Sequence, residues 1–211
     1  PRGEYLVDDP LWLANLLLLC AGLKSQHRMV IVGYSSHQNL CLAAANVDAI
    51  ASGHFLNVRS FSTKRFDRPS SEPSRRAPWW YYCPQSLSEY KAPFLDIAFR
   101  SGILSQLEPD PSFGTTYAQV LFSGAMPSST SWRESQAQTH YLHTLRGQAL
   151  QARRPSYQET FDAQEIQLET AARYIEYFHD NNVRGQDRDF ANMIDVGRSA
   201  LGVLDQERGF A

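Results

Sequence analysis

The chain has 211 residues, 43% of them hydrophobic, enough for one sizeable core or two small ones, and this excludes wholesale disorder. A balance of 20 Lys and Arg against 22 Asp and Glu leaves a formal charge of -2, so no global attraction to nucleic acid or an anionic membrane exists and any polyanion site must come from local clustering. Cys20, Cys41 and Cys83 are odd in number and lack CxxC spacing, which points to buried reduced thiols in a cytoplasmic protein.

Glu4 to Val7 is a short extended run, and Asp8-Asp9-Pro10 supplies a helix cap with proline at the first helical position. The stretch LWLANLLLLCAGLK that follows is apolar on nearly every face and shorter than the ~20 residues a bilayer span needs. Glu4, Asp8 and Asp9 ahead of it argue against a secretory leader, and a helix packed deep between a sheet and other elements is the expectation. Met29 to Val32 reads as a parallel strand buried on both faces, His37 to Asn46 as a small-faced helix capped by Ser35 or Ser36, and Val47 to Ala51 as a third strand. Strand, helix, strand, helix, strand with short turns is the signature of βαβ units. Three strands do not complete a sheet, so an upstream domain or a homo-oligomer is expected to complete it, and the chain has the pattern of a fragment.

Ser60 to Pro84 is rich in Ser, Pro and Arg, ends in Trp79-Trp80-Tyr81-Tyr82, and reads as a long loop pinned by its aromatics. Ser86 to Glu89 has the form of a capping box opening a helix toward Arg100, with Pro93 kinking it and Gly102 ending it. A short extended piece is expected at Tyr117 to Phe122. Capping boxes at Ser131 to Glu134 and Ser156 to Glu159, and Asp187 ahead of a last helix, mark three more helices. Phe161, Leu168, Ala172, Ile175 and Phe178 share one face, as do Phe190, Met193, Ile194, Leu201 and Leu204. The expected fold is therefore α/β: residues 1–61 as the C-terminal part of a (β/α) barrel or similar parallel sheet, residues 62–85 as linker, and residues 86–211 as a mainly helical region.

Parallel α/β folds bind ligands beyond the carboxyl ends of their strands, where loops converge and helix N-termini expose N–H groups. Those ends here carry Asp8 and Asp9, then Ser35, Ser36, His37 and Gln38, then Ser52, Gly53 and His54. Asp8, Asp9, His37 and His54 are the candidate acid/base groups, with Ser35, Ser36, Gln38, Ser52, Gly53, Asn57 and Arg59 as candidate substrate contacts. Capping alone also explains Asp9 and Ser36. Lys64, Arg65, Arg68, Arg75 and Arg76 with Trp79 have the ingredients for holding phosphates and stacking on bases, which makes RNA or DNA the candidate partner. His140 and His143 stand at i, i+3 without a third ligand at helical spacing, so no metal and no cofactor is expected.

Gly33 to Arg59 resembles the late strand-helix-strand unit of tRNA-guanine transglycosylase-like (β/α)8 barrels, with Asn46-Val47-Asp48 and Asn57-Val58-Arg59 in the places of that family's "G-V-D" strand and "P-T-R-N-A-R" loop. The family's nucleophilic aspartate would fall a few residues past Asp48, where this chain has Ile50-Ala51-Ser52, and nothing after Cys83 could supply its zinc cysteines. The resemblance thus implies a divergent or inactive base-modification protein acting on tRNA or DNA, a glycosyltransferase if catalytic. A non-catalytic binding or scaffold module is the alternative.

Overall fold

The computed structural model describes residues 5–53, 59, 61, 79–113, 116–185 and 189–207. The first helix, α1 (Pro10–Ser25), starts as its sequence dictates: Asp9 Oδ1 accepts from the N–H groups of Leu11 and Trp12, and Pro10 occupies the first turn. It ends in a left-handed residue, His27 (φ 57°), whose N–H donates to Lys24 O while Arg28 N–H donates to Leu23 O. The inner side of the helix, Leu13, Ala14, Leu17 and Cys20, is buried, and α1 packs on the last helix of the chain.

Strand β1 (Ile31–Val32) pairs in parallel with β2 (Ala49–Ile50), Ile31 opposite Ala49, across a 3₁₀ helix at His37–Ala43. The expected parallel strand-helix-strand unit is present here, with shorter strands and a tighter helix than the pattern suggested, but the first strand is not buried on both faces, since Met29 and Ile31 are exposed. The strand expected before α1 is a bend at Tyr5 and Leu6. In place of a neighbouring strand, the Gln38 side chain takes both backbone groups of Val7, accepting from its N–H at 2.7 Å and donating to its O at 2.8 Å.

The (β/α) barrel expectation is overturned. Among the described residues the strands form two separate two-stranded sheets, β1 with β2 in parallel and an antiparallel hairpin, and the remaining regular structure is helical. A barrel needs consecutive parallel strands closing on one another, whereas here the groups beside β1 and β2 are answered by side chains and loops. The hairpin is β3 (Trp80–Cys83) with β4 (Ser88–Lys91), Tyr81 opposite Tyr90. The Trp-Tyr-Tyr cluster at the end of the expected linker is thus a strand, and all four of its residues are buried. Ser86 to Glu89 does not open a helix: Leu87 adopts φ 50° in the hairpin turn, and α2 (Ala92–Arg100) begins later with Pro93 in its first turn, so the proline starts the helix instead of kinking it. Gly102 (φ 72°) follows its end as expected. The extended piece expected at Tyr117 to Phe122 is a 3₁₀ turn, Gln119–Phe122.

Three long helices complete the chain. Helix α3 (Glu134–Ala152) is opened by Gln136 accepting from Arg133 N–H, two residues later than a Ser131 box would place it. Helix α4 (Tyr157–Asp180) has the expected Ser156 and Glu159 reciprocal cap. Helix α5 (Ala191–Glu207) is capped by Asp189, which accepts from Ala191 N–H; Asp187 lies outside the described residues. Leu168, Ile175 and Phe178 of α4 and Met193, Ile194, Leu201 and Leu204 of α5 are buried, on the faces the periodicity predicts. One hydrophobic cluster runs from Leu6 to Leu204 and includes α1, the hairpin and all three long helices.

Candidate functional site

The strand-end residues occupy two different environments. Asp8 and Asp9 are exposed, and Asp9 is committed to the α1 cap. Ser35, Ser36, His37 and Gln38 are all buried. Ser35 Oγ donates to Val32 O at 2.9 Å, Ser36 caps the 3₁₀ helix, and Gln38 holds Val7, so each makes a structural bond. Ser52 and Gly53 are half-buried. His54 and Asn57 lie outside the described residues, as do Lys64, Arg65, Arg68, Arg75 and Arg76; Trp79 is half-buried at the foot of β3.

What the fold brings together is an internal polar cluster roofed by aromatic rings. Arg59 Nη1 bonds Glu89 Oε1 at 2.5 Å with both side chains fully buried. The guanidinium lies 3.5 Å from the Tyr141 ring centre, 5.0 Å from Trp80 and 5.6 Å from Tyr5, a cation held against ring faces. Burial works against its charge, but Glu89, Tyr141 and Tyr5 outweigh it and hold the guanidinium above its ordinary value. Arg59 Nε also donates to Gly53 O at 3.2 Å, tying the end of the β2 connection to the core.

His37 stands beside this pair with rings of Tyr5, Tyr82, Tyr141 and Phe190 within about 5.0–6.1 Å. Neither of its ring nitrogens makes a hydrogen bond of good geometry, while the buried Ser52 hydroxyl interacts with the Tyr141 phenol. Burial first, and the Arg59 charge second, push the imidazole down to about 3, with the Leu87 backbone pulling weakly the other way. The ring is therefore neutral at physiological pH. Its backbone N–H donates to Tyr141 Oη at 3.2 Å. Tyr141 is itself pushed up to about 12, by burial chiefly, so it stays a phenol. A neutral imidazole, a neutral phenol and a charge pair that neutralises itself supply shape and rigidity and no group poised to exchange a proton near pH 7.

His140 and His143 are placed apart by burial. His140 Nε2 bonds Tyr82 O at 2.8 Å inside the core and is pushed down to about 4 by burial, while His143 is exposed against Tyr117. His179 meets Asp189 at 2.6 Å, an ion pair when protonated; the same carboxylate accepts from Gly185 and Ala191 N–H, so it staples the turn between α4 and α5.

The surface shows the reverse anomaly. The outer side of α1 exposes Leu11 (68%), Trp12 (47%), Leu19 (61%) and Leu23 (38%), and β1 adds Ile31 (62%) beyond Met29 (79%). Leu11, Leu19 and Leu23 fall on one helical row with Asn15, opposite the row that packs on α5. The expectation of a helix buried all round is thus met on one side only. None of the described helices is long and apolar enough to cross a membrane.

The chain matches no family model, no curated protein and no solved structure in the comparisons made with each. Sequence reasoning missed Glu89, Tyr141 and Tyr5 as partners of Arg59, because they come from three separate elements. It also missed the outer α1 face, for which the signal was present: apolar residues on every side of a helix in a chain with too few strands to surround it.

Proposed function

We propose that the chain is a non-catalytic assembly module that docks on a protein partner through the outer face of α1. The observation that carries this is the apolar face formed by Leu11, Trp12, Leu19 and Leu23, standing exposed on a helix whose other side is already packed. The polar groups that could support catalysis favour the same reading, since His37 is neutral and enclosed and Arg59 is spent on Glu89. The transglycosylase resemblance implied a barrel, which the described residues do not form, and the base-modification reading is not carried forward. Free, buried Cys20, Cys41 and Cys83 are consistent with a reducing, cytoplasmic setting, and no cofactor enters the reading.

The test is a photo-crosslinking residue installed at Leu19 and, as control, at Leu150, which is at least as exposed on α3. Docking through α1 predicts a protein adduct from position 19 and none from position 150 in cells. No adduct from position 19, or equal adducts from both, would remove the reading.

A further inference from the structure

Resting on the docking reading above, we infer that the partner on the α1 face is a second copy of this chain, packed with its own α1 antiparallel to the first. The row is self-complementary about the middle of the helix. Turning a copy end for end sets Leu11 opposite Leu23 of the second copy and Asn15 opposite Leu19 of the second copy. The same register sets Trp12, the bulkiest exposed group on the helix, opposite Gly22 of the second copy. Gly22 has nothing within 4 Å of where its Cβ would stand, so it is a notch in the surface and not a tight internal contact. An indole on one copy and an open glycine on the other, each occurring twice by symmetry, is the form an isologous interface takes, in which residue i meets j and j meets i.

Charge supports the antiparallel sense. The N-terminal end of α1 carries exposed Asp8 and Asp9, and its C-terminal end is followed by exposed Arg28. A parallel pairing would set like charges together at both ends; the antiparallel one sets acidic against basic at each, and opposes the two helix dipoles. The helix is roughly 24 Å long at 1.5 Å per residue, so one helix pair makes a small interface of the size associated with weak, reversible complexes.

The test uses the full chain. Sedimentation across a concentration series is expected to show the wild type rising from monomer toward twice the monomer mass. Gly22→Leu is expected to stay monomeric with an unchanged far-UV spectrum and melting temperature, because the added side chain meets nothing in its own copy. Positions 11 and 23 lie roughly 18 Å apart on one helix. Under mild oxidation a mixture of Leu11→Cys and Leu23→Cys should therefore form a disulfide-linked pair, while either variant alone should not. A wild type monomeric at every concentration, a dimer that Gly22→Leu leaves intact, or a disulfide formed by Leu11→Cys alone would each overturn the proposal. The outcomes also separate it from the reading beneath it: a monomer whose Leu19 crosslinker still traps another polypeptide removes the dimer and keeps the docking face. A Leu19 crosslinker that traps nothing removes both.

Discussion

The centre of this molecule and the outer side of its first helix invert the usual distribution of residue types. Inside, where apolar side chains would suffice, stand Arg59, Glu89, His37 and Tyr141; outside, where polar side chains are usual, stand Leu11, Trp12, Leu19 and Leu23. A buried ion pair seldom adds stability over a well-packed apolar substitute, yet removing one partner leaves a costly lone charge. The interior cluster ties the end of the β2 connection, the hairpin and α3 to one another. An exposed apolar row contributes nothing to the isolated fold and gains its value only when covered. The two unusual regions thus play different parts, one holding the chain together and the other, in the proposal above, facing a neighbour.

The comparison breaks most visibly at low pH. The unfolded chain takes up protons on His37 and His140 near pH 6.5, which the folded chain refuses until about pH 3 and about pH 4. Stability from these two groups is fully present above pH 6.5. It should fall as pH drops below that, by about 1.4 kcal/mol per pH unit for each histidine. Chemical denaturation between pH 7 and pH 4.5 should show this slope, and His37→Leu should halve it.

Next in size, Arg59→Ala strands Glu89 in the core and should cost about 3–5 kcal/mol, measured by urea unfolding at pH 7. The joint replacement of Arg59 and Glu89 by Met and Leu should recover most of that loss, which would confirm that the pair specifies more than it stabilises. A smaller effect is expected at Gly147 on α3, where an added Cβ would lie 2.5 Å from Phe113 O of the backbone; Gly147→Ala should destabilise by about 1–3 kcal/mol. Smallest of all, Leu11→Ser with Leu19→Ser should leave unfolding free energy within about 0.5 kcal/mol per site while abolishing association. A large stability loss from that pair would show the outer face to be part of the fold.

The helical half was largely legible. The Ser156 and Glu159 cap, the rows Leu168, Ile175, Phe178 and Met193, Ile194, Leu201, Leu204, and the parallel pairing of β1 with β2 all follow from local pattern. The barrel did not follow, because an apolar run such as Met29 to Val32 suits any buried strand and does not count the strands around it. Ser86 to Glu89 imitated a capping box, but Leu87 turns left-handed and Ser88 instead accepts from Phe190 N–H at 3.0 Å, a bond between residues 102 apart in sequence. His37 stood out in sequence as a site residue. Its neutral, enclosed state depends on Tyr5, Tyr82, Tyr141 and Phe190, which only the tertiary structure assembles.

The claim that the outer α1 face is covered in the working protein meets its most direct test in hydroxyl-radical footprinting. Leu11 and Leu150 are both 68% exposed in the single chain, and Leu19 (61%) and Ile166 (63%) form a second matched pair. At protein concentrations that favour association, Leu11 and Leu19 should be oxidised several-fold less than Leu150 and Ile166, and the difference should vanish on dilution or in Gly22→Leu. Equal oxidation within each pair at every concentration would contradict the account.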